Sequence, residues 1–539
     1  MMSDERVNDV AGQAGQEPEA TETAGKGIGR RDVIKALASI PIFGVFFYSF
    51  FKKKAGEDFR RSEILAELGV SEGAPAYIPE AISRSPGDHV RVGIIGFGGE
   101  GESLVRNAGF AHPEWVADRQ EEMREDPRND WYQSYIDQED LNISITGVCD
   151  VFDVRAERGL AASRVELRPS GGRVMPEATR FLRYTDLLES PDVDAVIIAT
   201  PDHWHSQMTV DAAAAGKHVY CEKAMTRTED EARAMYEAVK GSGIVFQLGH
   251  QNRQVESHMK AREIIAQDIL GPISLIETTT NRNSPNGAWQ YEIHEEGSPE
   301  TIDWEQFEGP APHSVPFSLE RFFRWRCWFD YGTGLSGDLL SHEYDAVNQI
   351  LDLGIPQSAV ASGGIYFYKD GRDVPDVFQA VYEYPDRDLT FMYSATLANG
   401  KGRGKVFMGH DATMEVGSGL TVRAERESTR FEQKIDDKII DPSLPLFTYR
   451  PGFKGIDAVT SATEEYFASR GLLYTYRGGK RVSAYHLHIK EWLDVIRNGG
   501  DTSCNIERGF EEAITCHMAT RAYQLGRKVE WDPVRRRIV

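Results

Sequence analysis

The stretch His89–Gly101, HVRVGIIGFGGEG, constrains this chain more than any other. Val90–Ile95 is a short apolar run broken only by Arg91 and Gly93, which suits a strand buried on both faces of a parallel sheet. Gly96, Gly98 and Gly101 follow in G-x-G-x-x-G spacing, and Ser103–Arg106 can continue as a helix. In that setting the first glycine permits a tight turn, the second lets backbone approach a pyrophosphate, and the third lets the helix pack close to the sheet. The N–H groups at the helix start then face the anion. In a chain with 50 glycines the spacing alone says little. The strand before it and the helix after it supply the context that the motif requires. The loop Gly96, Phe97, Gly98, Gly99, Glu100 and Gly101 is therefore expected to cradle a dinucleotide.

The rest of the first half fits that expectation. Ala111–Leu141 is long, charged and aromatic-bearing, and reads as an insertion before a second strand, Ile143–Val148, which ends at Asp150. An acid there can accept hydrogen bonds from the adenosine ribose and repels a 2′-phosphate, so NAD is favoured over NADP. Three more strands are expected at Ala195–Ala199, His218–Cys221 and Ile244–Leu248. Between them lie a helix closed by Gly216 and another opened by a Thr228/Glu231 capping box. Strands alternating with helices predict a doubly wound parallel sheet of the Rossmann type, with ligands at the carboxyl ends of the strands. Thr200, Pro201, Asp202 and His205, then Glu222 and Lys223, then Gly249, His250 and Gln251 should all face one crevice.

Beyond Gln251 helices become rare. Runs such as Ile273–Thr280, Val377–Tyr384 and Leu389–Thr396 alternate or carry β-rich residues, predicting a C-terminal α+β domain with a largely antiparallel open sheet. The expected organisation is a nucleotide-binding domain over 88–250, a substrate and oligomerisation domain over 251–484, and C-terminal helices with a basic tail over 485–539. Asn399–Gly404 and Asp436–Gly452 read as loops. A broad exposed sheet face in the second domain would favour a homo-oligomer.

Residues 1–29 carry almost no large apolar side chains and are expected to be disordered. Arg30-Arg31 before the apolar stretch Ala36–Phe51 and Lys52–Lys54 resembles a Tat export signal, cleaved or kept as a membrane anchor over 30–54. A core helix is the alternative. Residues 55–87 read as a polar linker with a short helix near Ser62–Leu68. An exported, periplasmic protein that meets the Tat machinery is the expectation. The net charge of −23 argues against nucleic acid or anionic membranes as partners. Five scattered cysteines without a C-x-x-C pair make neither a disulfide framework nor a zinc site.

A second cluster lies at Arg324–Asp345, RWRCWFDYGTGLSGDLLSHEYD. Ser336 can cap a helix from Gly337 to Leu351, ended by Gly354, on which Asp338, His342 and Asp345 share one face. A carboxylate one turn before a histidine can orient the ring and raise its basicity for proton abstraction. The same spacing also fits an ordinary surface pair, or a metal pair that lacks a convincing third ligand. Trp325, Trp328 and Tyr331 offer either a platform for a sugar ring or core packing. With Arg326 and Asp345 they are the candidate substrate contacts.

Taken together, the glycine loop, CEK at Cys221–Lys223, GHQNR at Gly249–Arg253 and WFDYGTG followed by D-x-x-x-H resemble the Gfo/Idh/MocA oxidoreductases, relatives of glucose-fructose oxidoreductase and inositol dehydrogenase. The resemblance spans about 85–527 and implies that Lys223, Asp338 and His342 form the active site, with Ala224 standing where the family usually has proline. It implies NAD-dependent oxidation of a secondary hydroxyl of a sugar or glycoside. His342 would take the proton, Asp338 would steady the imidazolium, and Lys223 would stabilise the alkoxide. Two alternatives stand beside it: a glycoside-cleaving enzyme with retained NAD, working by transient C3 oxidation and elimination, and a non-catalytic carbohydrate-binding protein.

Overall fold

The computed structural model describes residues 88–127, 129, 131–166, 173–450, 474–477 and 480–539, with a few positions between 62 and 71. The expected disordered segment, the Tat-like segment and most of the linker lie outside the described residues. Among the described residues no helix is long and apolar enough to cross a membrane.

Six parallel strands form the first sheet: β1 (Val90–Ile95), β2 (Ile143–Cys149), β3 (Thr179–Arg180), β4 (Ala195–Ile198), β5 (His218–Cys221) and β6 (Phe246–Leu248). Their order is β3-β2-β1-β4-β5-β6. The chain winds outward from β1 in both directions, so the crevice opens at the β1/β4 switch point. Strand alternation sends the two apolar sets to opposite faces. Val90, Val92, Ile94, Ile143 and Ile197 pack with Leu104 and Val105 of α1 (Gly99–Asn107) on one face. Val196, Ile198, Val219 and Cys221 pack with Met208 and Ala212 of α4 (Asp202–Ala214) and Met235 of α5 (Glu229–Ser242) on the other. The capping box at Thr228 and Glu231 is present as read.

The short β3 went unread because two residues carry no periodicity. The insertion before β2 is folded, with α2 (Pro113–Glu125) and a helical turn at Trp131–Ile136. Ala111, Val116 and Tyr135 bury together there, and the Tyr135 hydroxyl donates to Gly109 O at 3.0 Å. Between β2 and β3 runs α3 (Asp153–Ser163).

The second sheet has ten strands: β7 (Ile273–Asn281), β8 (Ser358–Gly364), β9 (Val377–Tyr384), β10 (Leu389–Thr396), β11 (Lys405–Gly409), β12 (Ala412–Val416), β13 (Leu420–Ala424), β14 (Phe447–Tyr449), β15 (Val529–Asp532) and β16 (Arg537–Ile538). The order is β14-β13-β12-β11-β7-β10-β9-β8-β15-β16, and only the β7–β10 pair is parallel. Two loop and tail expectations are thereby corrected. Phe447–Tyr449, inside the expected loop 436–452, pairs with β13 because Phe447 and Tyr449 bury one face. The basic tail is β15 and β16, with Val529 buried against β8.

On the inner face of this sheet, Ile276, Phe378, Ala380, Tyr382, Phe391 and Tyr393 are buried. Helices α6 (Glu256–Ala266), α7 (Ser341–Leu351) and α9 (Ile506–Leu525) complete this core. The outer face carries a register row Val360, Val381, Met392, Glu277 and Val406, in which Val360 and Met392 are exposed. Helix α8 (Ala484–Asn498) returns to the first sheet, where Ile489, Trp492 and Leu493 join the face covered by α1.

Candidate active site

The carboxyl ends of β1, β2, β4 and β5 open into a cavity of about 450 Å³, within the range of small-molecule sites. The glycine loop forms one wall. Gly96 has a φ of +89°, and a Cβ there would lie 2.7 Å from Ala199 O, so only glycine makes this turn without strain. A Cβ on Gly101 would lie 2.1 Å from Gly96 O, which fixes the close approach of α1 to the strand end. Gly98 is the N-cap of α1 and carries no side chain to fill the cavity. Gly96, Gly98, Gly99 and Glu100 line the wall, with Asp150, Thr200 and Pro201 alongside. These residues fit a dinucleotide: a shaped backbone cradle at a helix N-terminus, with an acid at the end of the second strand.

Asp150 Oδ2 accepts the Phe97 N–H at 2.6 Å and Oδ1 accepts the Phe152 N–H at 2.8 Å. Burial pushes its carboxyl up, against the pull of Arg155 and those two donors. Phe97 itself is buried in the core rather than exposed to a ligand, and Gly101 is packed beneath the loop.

Across the cavity from the loop, Lys223 Nζ donates to Asp338 Oδ1 at 2.9 Å, and Arg326 Nε donates to the same oxygen at 3.1 Å. Trp289 Nε1 donates to Asp338 Oδ2 at 3.1 Å. Lys223 and Arg326 line the cavity, while Asp338 is buried behind them. Burial disfavours the Lys223 ammonium, but Asp338 outweighs it and the group is held above its ordinary value. Burial likewise disfavours the Asp338 carboxylate, yet Lys223 and Arg326 hold it far below the usual carboxylate range. The Lys223–Ala224 peptide is cis, and with alanine in the usual proline position Lys223 still points at Asp338.

The helix that carries Asp338 departs from its expectation. Ser336–Leu340 is a π-helical turn leading into α7, and Ser336 is not a cap; its hydroxyl donates to Thr333 O. Asp352, in the left-handed region at φ +54°, ends the helix before Gly354. The wide turn aims Asp338 at Lys223 and Arg326, so its oxygens do not bond to His342. The ring of His342 stands edge to face with His250, centroids 5.4 Å apart, and among the described residues its Nδ1 has no hydrogen-bond partner. Burial, then the charge of Lys223 and the His250 ring, press its basicity well below the ordinary value despite Asp338. The expected rise in basicity is reversed, and the imidazole is neutral at neutral pH.

Several expected contacts are structural. Asp345 forms a buried ion pair with Arg253 at 2.6 Å. Tyr331 is buried, its hydroxyl donating to Glu308 at 2.5 Å, and Trp328 packs under the Arg321 guanidinium. Neither lines the cavity; Trp325 does, with the Arg326 guanidinium 4.2 Å from its ring centre. Asp202 accepts the Thr333 hydroxyl in the core, and the His205 ring nitrogens lie 2.7 and 2.8 Å from Ala224 O and Thr200 O. His205 therefore ties the ends of β4 and β5 together. His250 is fully buried beside Glu512, and Gln251 donates to Tyr220 and to Glu222 Oε1. Both sit beneath the crevice.

Glu222 lines the cavity near a second acid, Glu100. Burial, then the Glu100 charge, pushes the Glu222 carboxyl up to about 8. Burial also raises Glu100, whose Oε1 is buried without a partner among the described residues while Tyr485 hydrogen-bonds its side chain. Sequence reasoning missed Tyr485, Trp289 and Arg155, and missed Tyr291, Phe322 and Phe323 in the cavity lining. Trp289, Tyr291 and Tyr485 lie far along the chain from any motif, while Arg155, Phe322 and Phe323 flank motifs without belonging to a pattern that names their role.

Comparison with known proteins follows the same lines. Residues 90–250 match the GFO_IDH_MocA family, described as "Oxidoreductase family, NAD-binding Rossmann fold". The chain is 30% identical over 216 residues to a levoglucosan dehydrogenase of Pseudarthrobacter phenanthrenivorans, covering 38% of this chain and 47% of that protein. It thus spans about half the length of that relative. It is 22% identical to a scyllo-inositol 2-dehydrogenase (NADP(+)) of Bacillus subtilis, over 65% of this chain and 86% of that one. The solved levoglucosan dehydrogenase in complex with NADH and levoglucosan shares the fold with a TM-score of 0.54 at 17% identity, over 82% of this chain and 99% of that chain.

Proposed function

We propose that this chain, whose residues 90–250 match the Gfo/Idh/MocA oxidoreductase family, is a member of that family and oxidises a secondary hydroxyl of a sugar or glycoside with a tightly held NAD. One observation carries the reading: the Lys223 ammonium, pinned by Asp338, opens on the same cavity as the glycine loop. NAD, when bound by Gly96–Gly101, Asp150, Thr200 and Glu222, supplies the ring that accepts a hydride. Lys223 donates a hydrogen bond to the carbinol oxygen and stabilises the alkoxide as its proton leaves. Asp338 keeps that ammonium charged and aimed. His342, whose basicity burial and then the Lys223 charge hold down, is the base proposed to take the proton. Trp325 offers its ring to the sugar.

Incubating the purified protein with mono- and disaccharides and NAD, with mass spectrometry of the products, tests this. A keto-sugar lighter by two hydrogens supports it, and no such product with any sugar ends it. Release of an aglycone would instead favour transient oxidation followed by elimination, and sugar binding without hydride exchange would favour a non-catalytic role. Export through the Arg30-Arg31 segment would demand that the cofactor stay bound, so Arg30→Lys/Arg31→Lys should keep the protein in the cytoplasm. The row Val360, Val381, Met392 and Val406 on the outer sheet face is the proposed contact between copies.

A further inference from the structure

We propose that Glu512, acting through His250, is the carboxylate that positions the His342 imidazole and offsets its charge, the part that helical spacing assigned to Asp338. The inference rests on reading His342 as the base. Asp338 is occupied, since its two oxygens accept from Lys223, Arg326 and Trp289. Next to His342 stands the His250 ring, edge to face at 5.4 Å, and His250 Nε2 lies 3.4 Å from Glu512 Oε2. The packing behind this contact comes from α9. Gly509 lies three residues before Glu512, on the same face of the helix. A Cβ there would stand 2.9 Å from Met225 Sδ and 3.4 Å from Leu248 Cδ2. Glycine thus lets α9 press on the end of β6, and His250 follows that strand by two residues.

These three side chains lack partners in a way their neighbours do not. Glu512 is 1% exposed. Among the described residues its Oε2 accepts no hydrogen bond, and its Oε1 meets the Cys516 thiol at 3.7 Å. Both ring nitrogens of His250 and Nδ1 of His342 are likewise buried without a hydrogen bond among those residues. Other buried glutamates are satisfied. Glu256 accepts the Tyr449 hydroxyl at 3.0 Å, and Glu308 accepts the Tyr331 hydroxyl at 2.5 Å and the Val315 N–H at 2.8 Å. A buried carboxylate is costly to keep without a cation, and bare buried polar atoms call for a reason. Among the described residues, no lysine or arginine pairs with Glu512; His250 does.

The chemistry supplies that reason. When His342 takes the carbinol proton, it gains a charge that burial, Lys223, the His250 ring and Arg282 all oppose. Asp338 favours the charge but has Lys223 and Arg326 to offset as well. Glu512 is the further negative charge, one ring away, and it offsets what His250 adds. The partner of one imidazole nitrogen also selects the tautomer. A proton on His250 Nε2, aimed at Glu512, leaves Nδ1 with its lone pair and fixes the ring against which His342 rests. The 3.4 Å contact suits a resting site, where such bonds are long and tighten later. The other titratable groups near the pair do not compete for the role. Burial keeps the thiols of Cys504 and Cys516 neutral, and it keeps His488 neutral too. The transferred proton stays on His342, so His250 and Glu512 are positioning residues.

Nitrogen magnetic resonance of histidine-labelled protein tests this without substrate, comparing wild type with Glu512→Met and Glu512→Gln. Methionine fills the space without an acceptor; glutamine keeps an acceptor and removes the charge. The His250 signals are assigned by their loss in His250→Asn. Wild-type His250 should carry a proton on Nε2, Glu512→Gln should keep it, and Glu512→Met should move it to Nδ1 or give a mixture. In a steady-state assay with NAD and a sugar found by the screen, both Glu512 variants should lose turnover about tenfold or more. That is part of the roughly 10²–10⁴-fold that a placed base contributes, and KM and NADH affinity should not change. The same His250 tautomer in wild type and Glu512→Met overturns the proposal, as does wild-type turnover in either variant. A loss shared by KM and NADH affinity overturns it too, because a merely structural part would do that. Should Glu512→Met fail to fold, Glu512→Gln decides by turnover. A wild-type protein that oxidises no sugar removes the reading of His342 as the base, while the ring spectra still decide whether Glu512 governs His250.

Discussion

Asp338 offers the sharpest energetic test, because one buried carboxylate compensates two partly buried cations. Its oxygens accept from Lys223 at 2.9 Å, Arg326 at 3.1 Å and Trp289 at 3.1 Å, and its residue is 5% exposed. Removing one partner of such an arrangement leaves uncompensated charge and costs about 3–5 kcal/mol. That is a large part of the roughly 5–15 kcal/mol that holds a domain folded. Asp338→Ala should therefore lower the denaturant midpoint clearly at pH 7, read by intrinsic fluorescence. Adding Lys223→Met should restore part of the loss, since one stranded cation is then gone; the non-additivity measures the pair directly.

The pH dependence has a definite sign. A carboxyl whose folded pKa lies below its unfolded value contributes stability that is complete above about pH 4 and is lost as pH falls towards the folded value. The wild type should lose stability more steeply than Asp338→Asn below pH 4. A cost under about 1 kcal/mol for Asp338→Ala, well short of the range for a broken buried pair, together with additive double-mutant behaviour, would refute the charge-compensation argument.

Glu222 has the opposite sign. Its folded value, pushed up to about 8 by burial and Glu100, keeps a proton that the unfolded chain loses above about pH 4.5. Wild-type stability should decline from about pH 4.5 to 8, and Glu222→Gln should flatten that decline in denaturant melts across this range. Gly101→Ala would drive a Cβ to 2.1 Å from Gly96 O; it should abolish NADH binding in a fluorescence titration, and near-normal affinity would contradict the close-packing role given to this glycine. Lys223→Met should cut turnover about 10²–10³-fold, as loss of an alkoxide-stabilising donor does, in a steady-state assay with a substrate found by the sugar screen. Met392→Lys in the outer row of the second sheet should reduce the mass seen by light scattering if copies meet there.

The legible parts of this molecule were those written in short, local patterns. A strand, a turn that only glycine can make and a helix occupy the eighteen consecutive residues Val90–Asn107, so the nucleotide cradle could be read whole. The D-x-x-x-H spacing was also visible, but its meaning was not: the π-helical turn at Ser336–Leu340 rotates Asp338 towards Lys223 and away from His342. Helical spacing assumes 3.6 residues per turn, and one wide turn is enough to break the inference. Tyr331, Trp328 and Asp345 show the same limit. Their composition suits a sugar site, yet Glu308, Arg321 and Arg253 claim them for the interior. Trp289 belongs to the site through a contact with Asp338 that spans a long stretch of chain, which no local pattern records.

The return of α8 to the first sheet has a consequence for how the protein is made. The six parallel strands are complete by residue 248, but Ile489, Trp492 and Leu493, which cover one of their faces, emerge more than two hundred residues later. At a ribosomal pace of about 5–20 residues per second, that greasy surface waits roughly 10–50 s for its cover. A nascent chain of this kind is a customer for chaperones during that interval. A polypeptide cut after residue 250 would wear the same bare patch permanently.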